Sequence, residues 1–182
     1  MRIVFLDIDG VLAPHGRPNP DVWCHDTCSR LERFIDTTGA KVVLVSSWPV
    51  FEAQANLSDF GISLHDAIAE KDRRGGLGRY GLFAREAGIV DYLETHKPEA
   101  WVWLDDFGAL HAPLPHALNT RNYKNHPLAS GYVQTNWFYD DGEGAGAGFD
   151  DATYGRAMVA LTNTANAPMH ASDKPTQTHG QT

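Results

Sequence analysis

Val4-Phe5-Leu6-Asp7-Ile8-Asp9-Gly10-Val11-Leu12 decides how the rest of this chain is read. An apolar run, Ile3 to Leu6, breaks abruptly into two acids and a glycine. The run is continuous rather than alternating, which suits a strand buried on both faces of a sheet. In an extended segment the period of two sets Asp7 and Asp9 on one side with Ile8 opposite, and Gly10 frees the backbone to turn.

The same pattern recurs twice. Val42-Val43-Leu44-Val45 ends in Ser46-Ser47, and Trp101-Val102-Trp103-Leu104 ends in Asp105-Asp106. Between the runs lie helical spacings. Leu31, Phe34 and Ile35 share a face over Cys28 to Thr37, and Ile89, Tyr92 and Leu93 do so over Glu86 to Thr95. Strand alternating with helix predicts an α/β fold, Rossmann-like and three-layered, around a central parallel sheet. A further helix is expected over Phe51 to Phe60, and short strands at Ile62-Ser63-Leu64 and Ala117-Leu118-Asn119, giving about five strands. Gly142 to Gly148 reads as a flexible loop, and Asp151 to Leu161 as a last helix. The expected organisation is one domain over residues 1–161, followed by a polar, aromatic-free and disordered tail over 162–182. No internal repeat is present.

The chain has 182 residues, 42% of them apolar and 21% charged, enough for one domain with a hydrophobic core. Its formal charge of −8 gives no global positive field to draw it onto nucleic acid or an anionic membrane, so phosphorylated small molecules or a protein partner start ahead. No apolar run approaches the roughly 18 residues that span a bilayer, and Asp7 cuts short the first, so neither a membrane span nor a signal peptide is expected. A cytoplasmic location follows, where Cys24 and Cys28 stay thiols without a bridge.

In an open parallel sheet the ligand site lies beyond the carboxyl ends of the strands, where all three polar strand ends fall. Asp7, Asp9, Asp105 and Asp106 would concentrate up to four negative charges, which repulsion makes costly unless a cation neutralises them. Hard oxygen ligands in so sparse a set select magnesium, which fills its remaining positions with water and substrate phosphate.

Residues Val4 to Leu12 resemble the first motif of haloacid dehalogenase (HAD) phosphatases, Asp-x-Asp-Gly after a hydrophobic strand. Val43 to Trp48 looks like the second motif and Trp103 to Asp106 like the fourth; the likeness runs from Met1 to about Asp106. It is closest to small HAD domains without a cap, some of which occur in nucleic-acid end-repair proteins. The resemblance implies that Asp7 attacks phosphorus to form an aspartyl-phosphate. Asp9 would protonate the leaving oxygen and then activate the hydrolytic water. Ser46 would hydrogen-bond the phosphoryl group. Magnesium would be held by the Asp7 carboxylate, the Asp9 carbonyl and Asp105, with Asp106 direct or through water. Carbon–halogen dehalogenases lack the second acid, so Asp9 favours phosphoryl transfer. The third motif requires a Lys or Arg near the start of the helix before the last acidic strand. Arg85 is the choice, with Lys71, Arg79 and Lys97 as alternatives. Neither Asp9 to Lys41 nor Ser47 to Arg85 has room for a cap domain, so the site should be open. The segment 108–149, with Tyr123, Tyr132, Trp137, Phe138 and Tyr139, is a candidate wall.

Other readings weigh against single features. Ser46 and Ser47 could cap a following helix, and Asp106 could be a cap. Cys24-His25-Asp26-x-Cys28 lacks a second ligand pair for zinc and reads as helix entry. His111, His116 and His126 read as surface residues, and Trp48, Trp101 and Trp103 as core packing. Three functions compete: a phosphomonoesterase acting on a nucleotide, sugar phosphate or nucleic-acid end; a non-catalytic magnesium- or phosphate-binding regulatory module; and an end-processing phosphatase of DNA or RNA, whose mark is steep salt dependence of oligonucleotide binding. A membrane partner is not expected, and the oligomeric state is left open.

Overall fold

The computed structural model describes residues 1–13, 23–73, 84–106, 128–135 and 148–166. Its strands are β1 (Arg2–Leu6), β2 (Lys41–Leu44), β3 (Leu64–Ala67), β4 (Ala100–Asp105) and β5 (Tyr132–Gln134). Its helices are α1 (His25–Thr38), α2 (Val50–Ser58), the single turn α3 (Glu70–Arg73), α4 (Ala84–His96) and α5 (Asp151–Asn166). The strands form one all-parallel sheet in the order β3-β2-β1-β4-β5. This is the Rossmann-like α/β arrangement expected from the alternation of runs.

The apolar runs are continuous because helices cover both faces of the sheet. Val4, Leu6, Val42, Leu44, Val102 and Leu104 point one way, into a core shared with Leu31 and Phe34 of α1, Leu57 of α2 and Ala157 and Leu161 of α5. Ile3, Phe5, Val43, Val45, Trp101 and Trp103 point the other way, against Ile89, Val90, Tyr92 and Leu93 of α4. Strand parity thus divides each run between two cores, giving three layers. β1 lies centrally, in register with β2 (Leu6 beside Leu44) and β4 (Leu6 beside Leu104), so its carboxyl end is flanked by theirs.

Some elements differ from expectation. The strand placed at Ile62 to Leu64 begins only at Leu64, because Ile62 is still finishing α2: its N–H bonds the Leu57 carbonyl at 3.1 Å around the Gly61 turn. The expected strand at Ala117 to Asn119 lies outside the described residues, as do the other candidate wall aromatics and the three scattered histidines. Tyr132, expected in the wall, instead sits in β5, buried with its ring 4.9 Å from that of Trp103. The last helix continues past Leu161 to Asn166, into the stretch read as tail; Thr164 is buried, and its hydroxyl donates to the Trp101 carbonyl at 2.7 Å and accepts from the Trp101 N–H at 2.9 Å. Residues 167–182 and most of the glycine-rich stretch lie outside the described residues. Among the described residues, no helix is long and apolar enough to cross a membrane.

Candidate active site

Asp7 is the first residue past β1, and its N–H continues the sheet by bonding the Leu104 carbonyl at 3.0 Å. The chain then coils tightly. The Ile8 carbonyl accepts from the N–H groups of Val11, Leu12 and Ala13 at 2.8–3.1 Å, and the Gly10 N–H donates to the Ala13 carbonyl at 2.7 Å. Gly10 has φ +71°, in the left-handed region that side chains disfavour. A Cβ there would stand 2.2 Å from Cγ of Asp106, so the glycine also makes room for that carboxylate.

Asp7, Asp105 and Asp106 are all buried, and each offers an oxygen within 4.8 Å of the others. Arg85, the second residue of α4, reaches into this group. Its Nη1 lies 2.7 Å from Oδ2 of Asp105 and 3.1 Å from Oδ2 of Asp7. Burial works against the guanidinium charge, but the facing Asp7 and Asp105 carboxylates outweigh it and raise the pKa above that of an ordinary arginine. If the three acids ionise, Arg85 cancels one charge and leaves two. Oδ1 of Asp7 is buried without a hydrogen-bond partner. Uncompensated buried carboxylate oxygens are costly, and one on a member of this acidic group suits a hard cation. The donor set therefore fits a divalent metal.

The other third-motif candidates stand elsewhere. Lys71 is exposed in α3 and Lys97 is exposed beyond the far end of α4, whereas Arg79 lies outside the described residues. Ser46 is fully buried two residues past β2, and its Oγ accepts from the Trp48 N–H at 3.4 Å. It does not cap α2, whose N-cap is Pro49 and has no side-chain cap bond. The acidic strand end is braced from β5 by contacts that the sequence did not signal. Thr135 Oγ1 donates to the Gly10 carbonyl at 2.9 Å, the Thr135 N–H to the Asp105 carbonyl at 3.1 Å, and Gln134 Nε2 to the Asp106 carbonyl at 3.1 Å.

The Asp9 carboxylate is not one of the three clustered acids. It accepts from the indole Nε1 of Trp48, 3.1 Å from each of its oxygens. Trp48 packs as expected, edge-on to Trp23 at 5.6 Å, and in addition turns its polar edge to the motif. A strand-end tryptophan carries no sequence signal for such a bond, since indoles pack in cores more often than they meet acids.

Cys24 is the N-cap of α1, as helix entry predicts, and Cys28 is buried behind it. Asp7, Asp105 and Asp106 are the one candidate metal-holding group among the described residues. No curated protein and no solved structure matches the chain. A family model for the HAD domain in Swiss Army Knife RNA repair proteins matches residues 3–137, from the Asp-x-Asp-Gly strand β1 to just beyond β5, and the chain belongs to that family.

Proposed function

We propose that this protein is a magnesium-dependent phosphomonoesterase that works through an aspartyl-phosphate on Asp7. The observation that carries the reading is the convergence of Asp7, Asp105 and Asp106 within 4.8 Å, buried, with Arg85 against two of them. Together with the HAD family membership, this fits a HAD-type phosphohydrolase. Magnesium would be held by the Asp7 carboxylate, the Asp9 carbonyl, Asp105 and, directly or through water, Asp106; when bound it supplies charge neutralisation between these acids and an anionic phosphoryl group.

The chain's own groups do the rest. An Asp7 oxygen attacks phosphorus, the bond from phosphorus to the leaving oxygen breaks, and Asp9 gives its proton to that oxygen. Asp9, now a carboxylate, takes a proton from water as the water attacks the aspartyl-phosphate; the bond from phosphorus to Asp7 breaks, and inorganic phosphate leaves. Ser46 donates its hydroxyl to a phosphoryl oxygen. Arg85 restrains Asp7 and offsets charge as it builds on the phosphoryl group. Its position supports a catalytic module over one that only binds, because it supplies a cation beside the nucleophile.

The test is magnesium-dependent release of phosphate from an aryl phosphate by the wild type and Asp7→Asn, which keeps shape but removes the nucleophilic charge. Loss of activity in the variant and on chelation is the expected result; activity surviving the substitution would sink the assignment of Asp7. The substrate class we favour is the terminal phosphate of a nucleic acid or nucleotide over a sugar phosphate, on the strength of the RNA-repair family. Oligonucleotides bearing a 3′- or 5′-phosphate should be turned over better than sugar phosphates, with binding that weakens steeply as salt rises. Equal turnover of both classes would remove that preference. The cytoplasm remains the proposed location.

A further inference from the structure

A side chain that gives and takes a proton must be aimed, and Asp9 is only partly buried, at a turn where its carboxylate could rotate. The Trp48 indole meets both of its oxygens at 3.1 Å. Trp48 is itself fixed at two further points: its backbone N–H bonds Oγ of Ser46 at 3.4 Å, and its ring stands edge-on, at 83°, to the buried Trp23 ring. The second motif is thereby tied to the second acid of the first.

We propose that Trp48 is a positioning residue for Asp9, holding the acid/base carboxylate in one orientation through the whole reaction; this rests on the phosphatase reading above. The chemistry of the donor supports the role. An indole N–H is donor only and uncharged. Because Trp48 reaches both oxygens, either can carry the proton while the other keeps the bond, so the tether survives the change that catalysis requires. The same bond holds the Asp9 side chain apart from the three clustered acids.

The experiment compares wild type with Trp48→Phe, which keeps a ring against Trp23 and removes the N–H. Two substrates separate the two duties of Asp9. From an aryl phosphate the leaving group departs as a stable phenolate with little need of a proton, whereas the alkoxide leaving from an alkyl phosphate needs one. With the aryl ester, Trp48→Phe should release its first equivalent of phenol within about twofold of the wild-type rate, then turn over about tenfold more slowly as aspartyl-phosphate accumulates, a fraction of the roughly 10²–10⁴-fold that a positioned acid/base contributes. With the alkyl ester the first turnover should also slow about tenfold, in kcat and not KM. Trp48→Leu should show the same split, and thermal unfolding midpoints establish that each variant is folded. Equal slowing of both esters in the first turnover, or no slowing at all, overturns the proposal while leaving the phosphatase reading intact. A wild type that hydrolyses neither of these esters nor a phosphate-terminated oligonucleotide overturns that reading, and this one with it.

Discussion

At Gly10 a single hydrogen atom separates a working strand end from a blocked one. Left-handed φ costs an ordinary residue about 1–2 kcal/mol, and the 2.2 Å approach of a Cβ to Asp106 adds overpacking of about 1–3 kcal/mol. Gly10→Ala should lose about 2–4 kcal/mol in urea unfolding and weaken magnesium binding by displacing Asp106; an unchanged unfolding midpoint would show that the turn relaxes freely. Cys28 offers a pH test away from the site. Burial pushes its thiol up from an ordinary 9 to about 12, with Cys24 adding to the rise and a bond involving Thr27 opposing it. The folded state thus favours the protonated thiol. Its contribution to stability is complete below pH 9 and is lost as pH climbs from 9 towards 12. Cys28→Ser should flatten that alkaline decline, and Cys24 should react with a disulfide reagent before Cys28 does. At this scale the acids of the site were legible, because an acid after a buried run has few other reasons to be there. Trp48 and Thr135 were not, because their roles are hydrogen bonds across elements that no local spacing encodes.

Between elements, one buried hydroxyl adds to the apolar packing that holds α5 to the sheet. Thr164 Oγ1 serves both the N–H and the carbonyl of Trp101 at the start of β4, in a buried setting. Thr164→Val keeps the volume but strands both backbone groups, at about 1–3 kcal/mol for each buried group left unsatisfied. We expect a fall of about 2–6 kcal/mol in urea unfolding with the site chemistry unchanged. A loss under 0.5 kcal/mol, the scale of an inert surface substitution, would show that water replaces the hydroxyl. The three central strands could be read from sequence because burial on both faces makes them wholly apolar. β3 was legible only in part, as a strand expected from Ile62, and β5 not at all: Leu64–Ala67 and Tyr132–Gln134 are edge strands, short and partly polar, and their patterns barely stand out from loops. The end of α5 was hidden for a related reason, since Thr162 to Asn166 is polar in composition and only its one inward threonine makes it part of the fold.

Across the whole molecule, folding gathers charge that the chain would otherwise keep apart. Asp7 and Asp105 are about a hundred residues distant in sequence, and only the pairing of β1 with β4 brings them together. The unfolded chain therefore has no such metal site, and a chain of net charge −8 concentrates part of its repulsion at this one place. A cation that binds only the native state adds stability by mass action, about 2.7 kcal/mol at a hundredfold excess over its Kd. Magnesium should raise the thermal midpoint in a saturable, concentration-dependent way, and sodium chloride at matched ionic strength should not reproduce it. Asp106→Asn gives the sharper test, because it removes one negative charge from the group while keeping the side chain's shape beside Gly10. Without metal the variant should be the more stable protein, through relief of like-charge repulsion; with magnesium the order should reverse, because one ligand has been weakened. Crossing of the two midpoint curves as magnesium rises would show that the cluster is a strained anion site completed by a cation. Parallel curves would mean that the acids are compensated within the protein alone and that magnesium has no place there.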